Sequence, residues 1–397
     1  MPQGLIRSAP SAARRSSRSA WAAALVAAAG VVTAAFASAL PQPDVVRVRH
    51  GDDPAWAEPG YDDHDWEQMS WRRVDPQGRV LWVRARVALP ADFDADATPV
   101  AVHVSALAAY EVYWNGVHIG GSGKPGATAA EEIPGRLDTS HWVPPHLLRP
   151  ENVLALRMSS FQLRRTLTAP FQLFSIEAYG APQRRIFVNR IPMLIAAGAL
   201  MLGAAYFAAM FVSDRKDRAS LLLSLLALAV LAQLVAESAR FVSYPYPLHI
   251  LRLETILTAA VASGVLLTLH VTDRYAPTRR RTLLLAAIAM MALVTLLVPG
   301  FDGKTALVIV SALVVAIVAA AFGIRAKRRG AASTAAGAAA VLALFSIDPA
   351  RFVDQTYYIA ATAFLLFLFA QQVVELRRAQ ATRAAAELRS TRCSRTR

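Results

Sequence analysis

Between Ile191 and Val374 the chain repeats one pattern, an apolar run close to the length of a membrane crossing followed by a short loop, every second loop being rich in arginine. Seven runs can be marked: 191–212, 219–235, 253–271, 282–298, 306–324, 332–347 and 356–374. A helix needs roughly 20 residues to cross the hydrocarbon layer, so the pattern predicts an all-α seven-helix transmembrane bundle over residues 191–374. The sixth run is rich in alanine and short of bulky apolar residues. It is expected to pack inside the bundle rather than broadly against lipid.

Residues 44–180 follow a different rhythm. Short alternating runs at 80–89, 100–104, 110–114, 152–158 and 171–179 have the period of half-buried strands. Turn signals lie between and around them: Pro76-Gln77-Gly78, Asn115-Gly116, Gly120-Gly121-Ser122-Gly123 and Pro144-Pro145. Many short strands without a long helix predict a β-sandwich large enough to close its own core. Six of the seven tryptophans fall here, and Trp66 and Trp82 are expected to fill the sandwich. Gly180 to Arg185 reads as the joint to the bundle.

Upstream, Arg7, Arg14, Arg15 and Arg18 precede the apolar stretch 21–35, and Ala37-Ser38-Ala39 supplies small residues suited to a signal peptidase. Residues 1–39 are therefore expected to be a signal peptide cleaved after Ala39 or, if uncleaved, an N-terminal anchor. Pro41-Gln42-Pro43 would break a continuing helix. Either outcome exports the segment that follows.

Composition sharpens this picture. The chain is 55% hydrophobic and carries a net charge of +14. Such an excess would suit a nucleic-acid partner, but most of its bases lie at the ends of apolar runs or in the tail, which excludes a phosphate-tracking face. The loops after the first, third and fifth runs hold 11 bases: Arg215, Lys216, Arg218, Arg274, Arg279, Arg280, Arg281, Arg325, Lys327, Arg328 and Arg329. The opposite loops hold 4, namely Arg240, Arg252, Lys304 and Arg351. The bias puts the sandwich outside and the tail in the cytoplasm, in agreement with the export signal. Cys393 is the single cysteine, so no intramolecular disulfide and no cysteine-rich zinc site exist.

Candidate chemistry is sparse. Trp114, His118, His141 and Trp142 suit stacking on or hydrogen bonding to a sugar-like ligand, although core or rim packing for the tryptophans and an ordinary surface role for the histidines account for them better. Asp62, Asp63 and Asp65 read as solvated turn residues, because glycoside hydrolysis needs two carboxylates at a set separation across a cleft. Glu237, Arg240, Arg252 and Glu254 gather near the outer rim of the spans, where they suit a docking surface for the sandwich, a ligand pocket or simple neutralising pairs. No acidic group lies mid-membrane as proton-coupled transport requires. Nor is there a Ser/His/Asp set, a phosphate loop or a metal-ligand spacing, so no enzyme, cofactor or metal is expected.

Two resemblances extend this reading. Gly60-Tyr61-Asp62-Asp63-His64-Asp65-Trp66-Glu67, then Leu81-Trp82-Val83-Arg84, then the stretch from Ala109 to Gly120, then Ile133-Pro134 and the stretch from Leu147 to Arg157, stand in an order that resembles the galactose-binding-like jelly roll at the start of family 2 glycosidases. An exported jelly roll followed by seven spans resembles the bacterial seven-transmembrane receptors with diverse intracellular signalling modules. That family implies an inner (plasma) membrane receptor, plausibly dimeric, that senses a carbohydrate-like ligand outside and signals to a cytoplasmic histidine kinase or similar module and its response regulator. Residues 375–397 should continue the last span as a cytoplasmic helix, which resembles the linker before the catalytic region of sensor histidine kinases of the autolysin-regulator type. No histidine follows His270, so autokinase activity in this polypeptide is excluded and a truncated or frame-interrupted receptor is expected. The competing expectation is a non-signalling envelope binding or scaffold protein.

Overall fold

The first half of the chain forms nine strands among the described residues: β1 (Val45–His50), β2 (Glu67–Ser70), β3 (Val80–Ala88), β4 (Val100–Ala106), β5 (Ala109–Trp114), β6 (Val117–Ser122), β7 (Asp138–Val143), β8 (Glu151–Ser159) and β9 (Phe171–Ala178). The computed structural model describes residues 40, 42–91, 93–94, 99–179, 181–347 and 356–395. The export segment expected over residues 1–39 lies outside them. All strand pairs are antiparallel, in a six-stranded sheet of order β2-β1-β3-β8-β5-β6 and a three-stranded sheet of order β7-β4-β9. Valines 83, 102, 104 and 112, Leu154, Leu156, Phe174 and Ile176 meet between the sheets in one core, which makes the unit a β-sandwich.

The two halves of the first motif meet in space. Arg84 on β3 is buried and donates to the Asp63 carboxylate at 3.0 Å, to the Trp56 carbonyl at 2.5 Å and to the Glu58 carbonyl at 3.0 Å. Arg47 and Arg86 reach the other oxygen of the same carboxylate. Asp63 is thus a buried ion-pair centre and not a solvated turn residue, whereas Asp62 and Asp65 are exposed as expected. The tryptophans also differ from expectation. Trp82 alternates with Leu81 and Val83, so it points away from the inter-sheet core and joins Trp56, Trp66 and Ala155 in a second core under residues 54–66. Trp71 and Trp114 fill the space between the sheets instead.

The second motif builds a hairpin and its anchor. Asn115 and Gly116 have φ of 51° and 84°, the paired positive values of a tight β5–β6 turn. Asn152 holds that turn from β8, accepting from the Trp114 indole at 3.2 Å and from the Asn115 amide at 3.0 Å.

The second half of the chain forms seven helices among the described residues: α1 (Ala181–Ser213), α2 (Arg218–Ser238), α3 (Leu248–Tyr275), α4 (Arg280–Leu297), α5 (Phe301–Arg325), α6 (Ala331–Ile347) and α7 (Tyr357–Arg395). Six of these contain segments long and apolar enough to cross a membrane: Ile191–Ser213, Arg218–Ser238, Leu248–Tyr275, Pro277–Leu297, Phe301–Arg325 and Tyr357–Thr382. The seventh expected span, α6, is a 17-residue apolar helix that falls short of that length. Its buried residues, Ala331, Thr334, Ala338 and Val341, form one stripe, and much of its remaining surface is exposed. It therefore lies at the edge of the bundle against α5 and α7 rather than inside it. Alanine serves close approach on that stripe only. The helix of α7 runs on past the apolar segment, as the tail composition predicts.

Removing one partner of a buried ion pair strands the other charge, at a cost of about 3–5 kcal/mol. Asp63→Ala is therefore expected to lower the unfolding free energy of the sandwich by about that amount, whereas Asp65→Ala, at an exposed pair, is expected to cost under about 1 kcal/mol. Denaturant unfolding followed by tryptophan fluorescence checks the difference.

Candidate functional site

The connection between α2 and α3, residues 239–247, leaves the bundle and enters the sandwich. Its sequence explains the path: prolines 245 and 247 bracket Tyr246, and the chain turns through Tyr246-Pro247 into the start of α3. The Tyr246 amide donates to the Gly135 carbonyl at 2.8 Å, and Pro245 bridges Arg136 as a short added strand. The Tyr246 ring is fully buried with Leu107 and Leu137 of the sandwich, flanked by Leu163, Leu167 and Tyr244. Burying such a side chain is worth about 2 kcal/mol. Its hydroxyl donates to the buried Glu132 carboxylate, which also accepts from the Ser159 hydroxyl and, at 3.1 Å, from the Phe161 amide. Burial and the Glu132 hydrogen bond both push the Tyr246 phenol up, so it stays a donor at neutral pH.

Charge completes the contact. Arg240 donates twice to the Asp138 carboxylate, both at 2.9 Å, and to the Ser105 hydroxyl at 2.8 Å. Burial alone would raise the Asp138 carboxyl, but the hydrogen bonds and charge of Arg240 outweigh it and hold the group below the usual carboxylate range. Glu254 on α3 reaches Arg165 of the sandwich at 3.1 Å, at the exposed edge of the contact. Arg252 and Glu237 act within the bundle. The Arg252 guanidinium donates to the Ala236 carbonyl at 2.9 Å and meets the Glu237 carboxylate at 2.6 Å, closing the C-terminus of α2 onto the start of α3. Of the four rim charges marked in the sequence, two bind the sandwich and two brace the helices that carry the loop.

A polar cleft of about 840 Å3 opens beside this contact. The sandwich contributes the glycine-rich wall around Gly121, Gly123 and Gly135, together with Arg136, Thr139, Ser140, His141 and Tyr179, while the bundle contributes Ser243 and Pro245. The wall is bare backbone for a reason. A Cβ at Gly135 would sit 2.2 Å from the Ser122 carbonyl oxygen. His141 accepts from or donates to the Thr139 hydroxyl at 2.7 Å, and Thr139 in turn meets the buried Tyr110 hydroxyl. Burial, aided by the neighbouring His103 and His118, lowers the His141 imidazole to about 4, so it is neutral at pH 7.

The four ligand candidates read from the sequence do not converge. His141 lines the cleft, but Trp142, its neighbour on β7, points to the opposite face and is exposed. Trp114 is fully buried in the inter-sheet core, which removes it from any ligand surface. His118 lies on the edge strand β6 against the Tyr113 ring. Missed from the sequence were Glu132, Arg136, Asp138 and Tyr246. The available signal was the Ser243-Tyr244-Pro245-Tyr246-Pro247 loop, where two tyrosines alternating with two prolines exceed what a plain connection needs.

A second polar cluster lies at the other end of α3. Arg274 reaches Glu375 at 2.5 Å and Gln372 at 3.3 Å, both on α7. The Tyr275 hydroxyl bonds Gln371 of α7 at 3.0 Å and Thr334 of α6 at 2.9 Å. Gln372 also lies 3.4 Å from Asp217, the N-cap of α2. These contacts grip α7 where it leaves the bundle. Among the described residues no group of three or more histidines, cysteines or carboxylates is placed to hold a metal ion.

No protein-family model and no curated protein matches this sequence. Among solved structures it is similar to a β-glucuronidase from glycoside hydrolase family 2, at 19% identity and a TM-score of 0.24 over 32% of this chain and 14% of the other. A Bifidobacterium dentium β-glucuronidase complexed with coumarin-3-O-glucuronide matches at 16% identity and a TM-score of 0.24, over 30% of this chain and 20% of the other. A glycosyl hydrolase family 2 member from Bacteroides cellulosilyticus matches at 15% identity and a TM-score of 0.26, over 34% and 20%. The chain spans a fifth or less of the length of these structures.

The lowered His141 value makes the sandwich sensitive to acid. The unfolded imidazole binds a proton near pH 6.5 and the folded one only near 4, so the stability present above pH 6.5 is lost as pH falls toward 4. The loss is expected to reach about 3 kcal/mol, and His141→Gln should flatten the slope between those limits in denaturant titrations run at stepped pH.

Proposed function

We propose that this chain is a non-catalytic membrane sensory receptor: the exported sandwich senses a carbohydrate-like ligand, and the helical bundle relays occupancy to a cytoplasmic signalling module through the helix that extends from α7. The observation that carries this reading is the position of α3. One uninterrupted helix, Leu248–Tyr275, begins directly after the loop buried in the sandwich and ends at the contacts that grip α7. A change in how the sandwich holds Tyr246 and Arg240 therefore reaches Arg274 and Tyr275 through a rigid element with two anchored ends. The cleft supports the same reading, because a ligand in it touches sandwich and loop together and so has different contacts in docked and undocked arrangements.

In this reading the chain is multi-pass with α6 as a short seventh crossing, the sandwich is outside and the C-terminal end of α7 is in the cytoplasm. The basic loops after α1, α3 and α5 support that orientation. A homodimer is the natural form for a receptor that acts through an extended helix. A membrane-bound scaffold needs a docked sandwich but no grip on α7.

The test uses the full chain in lipid nanodiscs, with Cys393→Ser as background and spin labels at Arg329 and Arg378. An oligosaccharide that raises the thermal midpoint is expected to change the distance between the labels, and Arg240→Ala is expected to abolish the distance change while leaving an unfolding transition. A bound ligand that leaves the label distance as it was would exclude the relay.

A further inference from the structure

The cleft between sandwich and bundle carries a more specific assignment. We infer that it is the ligand site and that it takes a carboxylated carbohydrate, of the uronic-acid type, whose carboxylate pairs with Arg136; this rests on the receptor reading above.

The charges around the cleft identify the ligand class. Asp138 faces the cleft, but both its oxygens are taken by Arg240. Arg136 is exposed on the cleft wall, and its guanidinium has no hydrogen-bond or ion-pair partner among the described residues, although its backbone is fixed at both atoms by the Ser122 hydroxyl. The cleft therefore presents one cation with unused donors on an ordered backbone. Guanidinium forks bind carboxylates in two-point fashion, and such charge-assisted bonds are roughly twice as strong as neutral ones.

The remaining surface suits hydroxyl groups and a ring. Thr139 lines the wall with a hydroxyl already bonded to Tyr110 and His141, and the backbone of Gly121, Gly123 and Gly135 lies beside it. Tyr179 lies 45% exposed at the rim, free to stack on a pyranose face. An aliphatic acid would satisfy Arg136 but leave these groups unused, and a neutral sugar would leave Arg136 unused. At about 840 Å3 the cleft falls within the usual size of small-molecule sites.

The position of Arg136 makes occupancy consequential. Its backbone bridges Pro245 of the loop, so a carboxylate held by this side chain sits at the joint itself.

The full chain in nanodiscs is titrated calorimetrically with trigalacturonate, with the matching neutral galactose trimer and with acetate. The acidic trimer is expected to bind about tenfold tighter than the neutral one, with acetate weaker than both, and Arg136→Ala is expected to erase that preference. Arg136→Lys should restore part of it. Equal affinity for the two trimers, a preference that survives Arg136→Ala, acetate binding as tight as the acidic trimer, or no binding by any sugar would each overturn the assignment. The spin-label distance on α7 is read in the same samples. Preference for the acidic trimer without a distance change rejects the relay and keeps the site, and a distance change that both trimers drive with equal affinity does the reverse.

Discussion

The tyrosine that the bundle inserts into the sandwich is the contact on which the two halves of this molecule depend. A phenol in an apolar pocket requires a partner for its hydroxyl, and a carboxylate in the same place requires donors. Tyr246 and Glu132 meet both needs at once, with Ser159 and Phe161 supplying the rest. Neither group can leave without stranding the other, so the contact is closer to a latch than to a sliding surface. The Arg240–Asp138 pair sits outside this latch and adds direction more than strength, because charges near water gain little from each other.

Sequence pattern revealed the elements more readily than their meetings. The strands around 80–89, 100–104, 110–114, 152–158 and 171–179 were legible because each carries a short run rich in β-branched and aromatic residues near turn signals. The other strands were not. β2 is four residues long, β6 carries three consecutive small residues and β7 is mostly polar, so none of these three shows a period to read; β1 does alternate, with Val46 and Val48 buried, and was missed because it is short and charged. Asp63 illustrates a different limit. Three aspartates in four positions look alike in sequence, and only the approach of Arg84 from a strand 21 residues away separates the buried one from its exposed neighbours. Trp114 shows the converse, since an aromatic beside an Asn-Gly turn suggests a binding rim while β5 in fact turns it inward.

The rim charges were legible as a cluster but not in their pairings. Glu237, Arg240, Arg252 and Glu254 lie within 18 positions of one another, yet two of their partners, Asp138 and Arg165, belong to the sandwich. Partners separated by about a hundred positions leave no local signal. The helices were easier, since length and hydropathy suffice, and α6 fell short for the same reason: counting apolar residues does not report which face they occupy.

The length of α3 has a further consequence. Its 28 residues extend about 42 Å at 1.5 Å per residue, against a hydrocarbon core of about 30 Å. A helix with that much excess accommodates its bilayer by tilting. Both ends of α3 are fastened, to the α2–α3 loop above and to α7 below, so a thinner or thicker membrane changes the angle at which those fastenings are held. In the proposed relay, lipid thickness would bear on the same helix that a ligand moves, so α7 would answer to the membrane as well as to the sandwich.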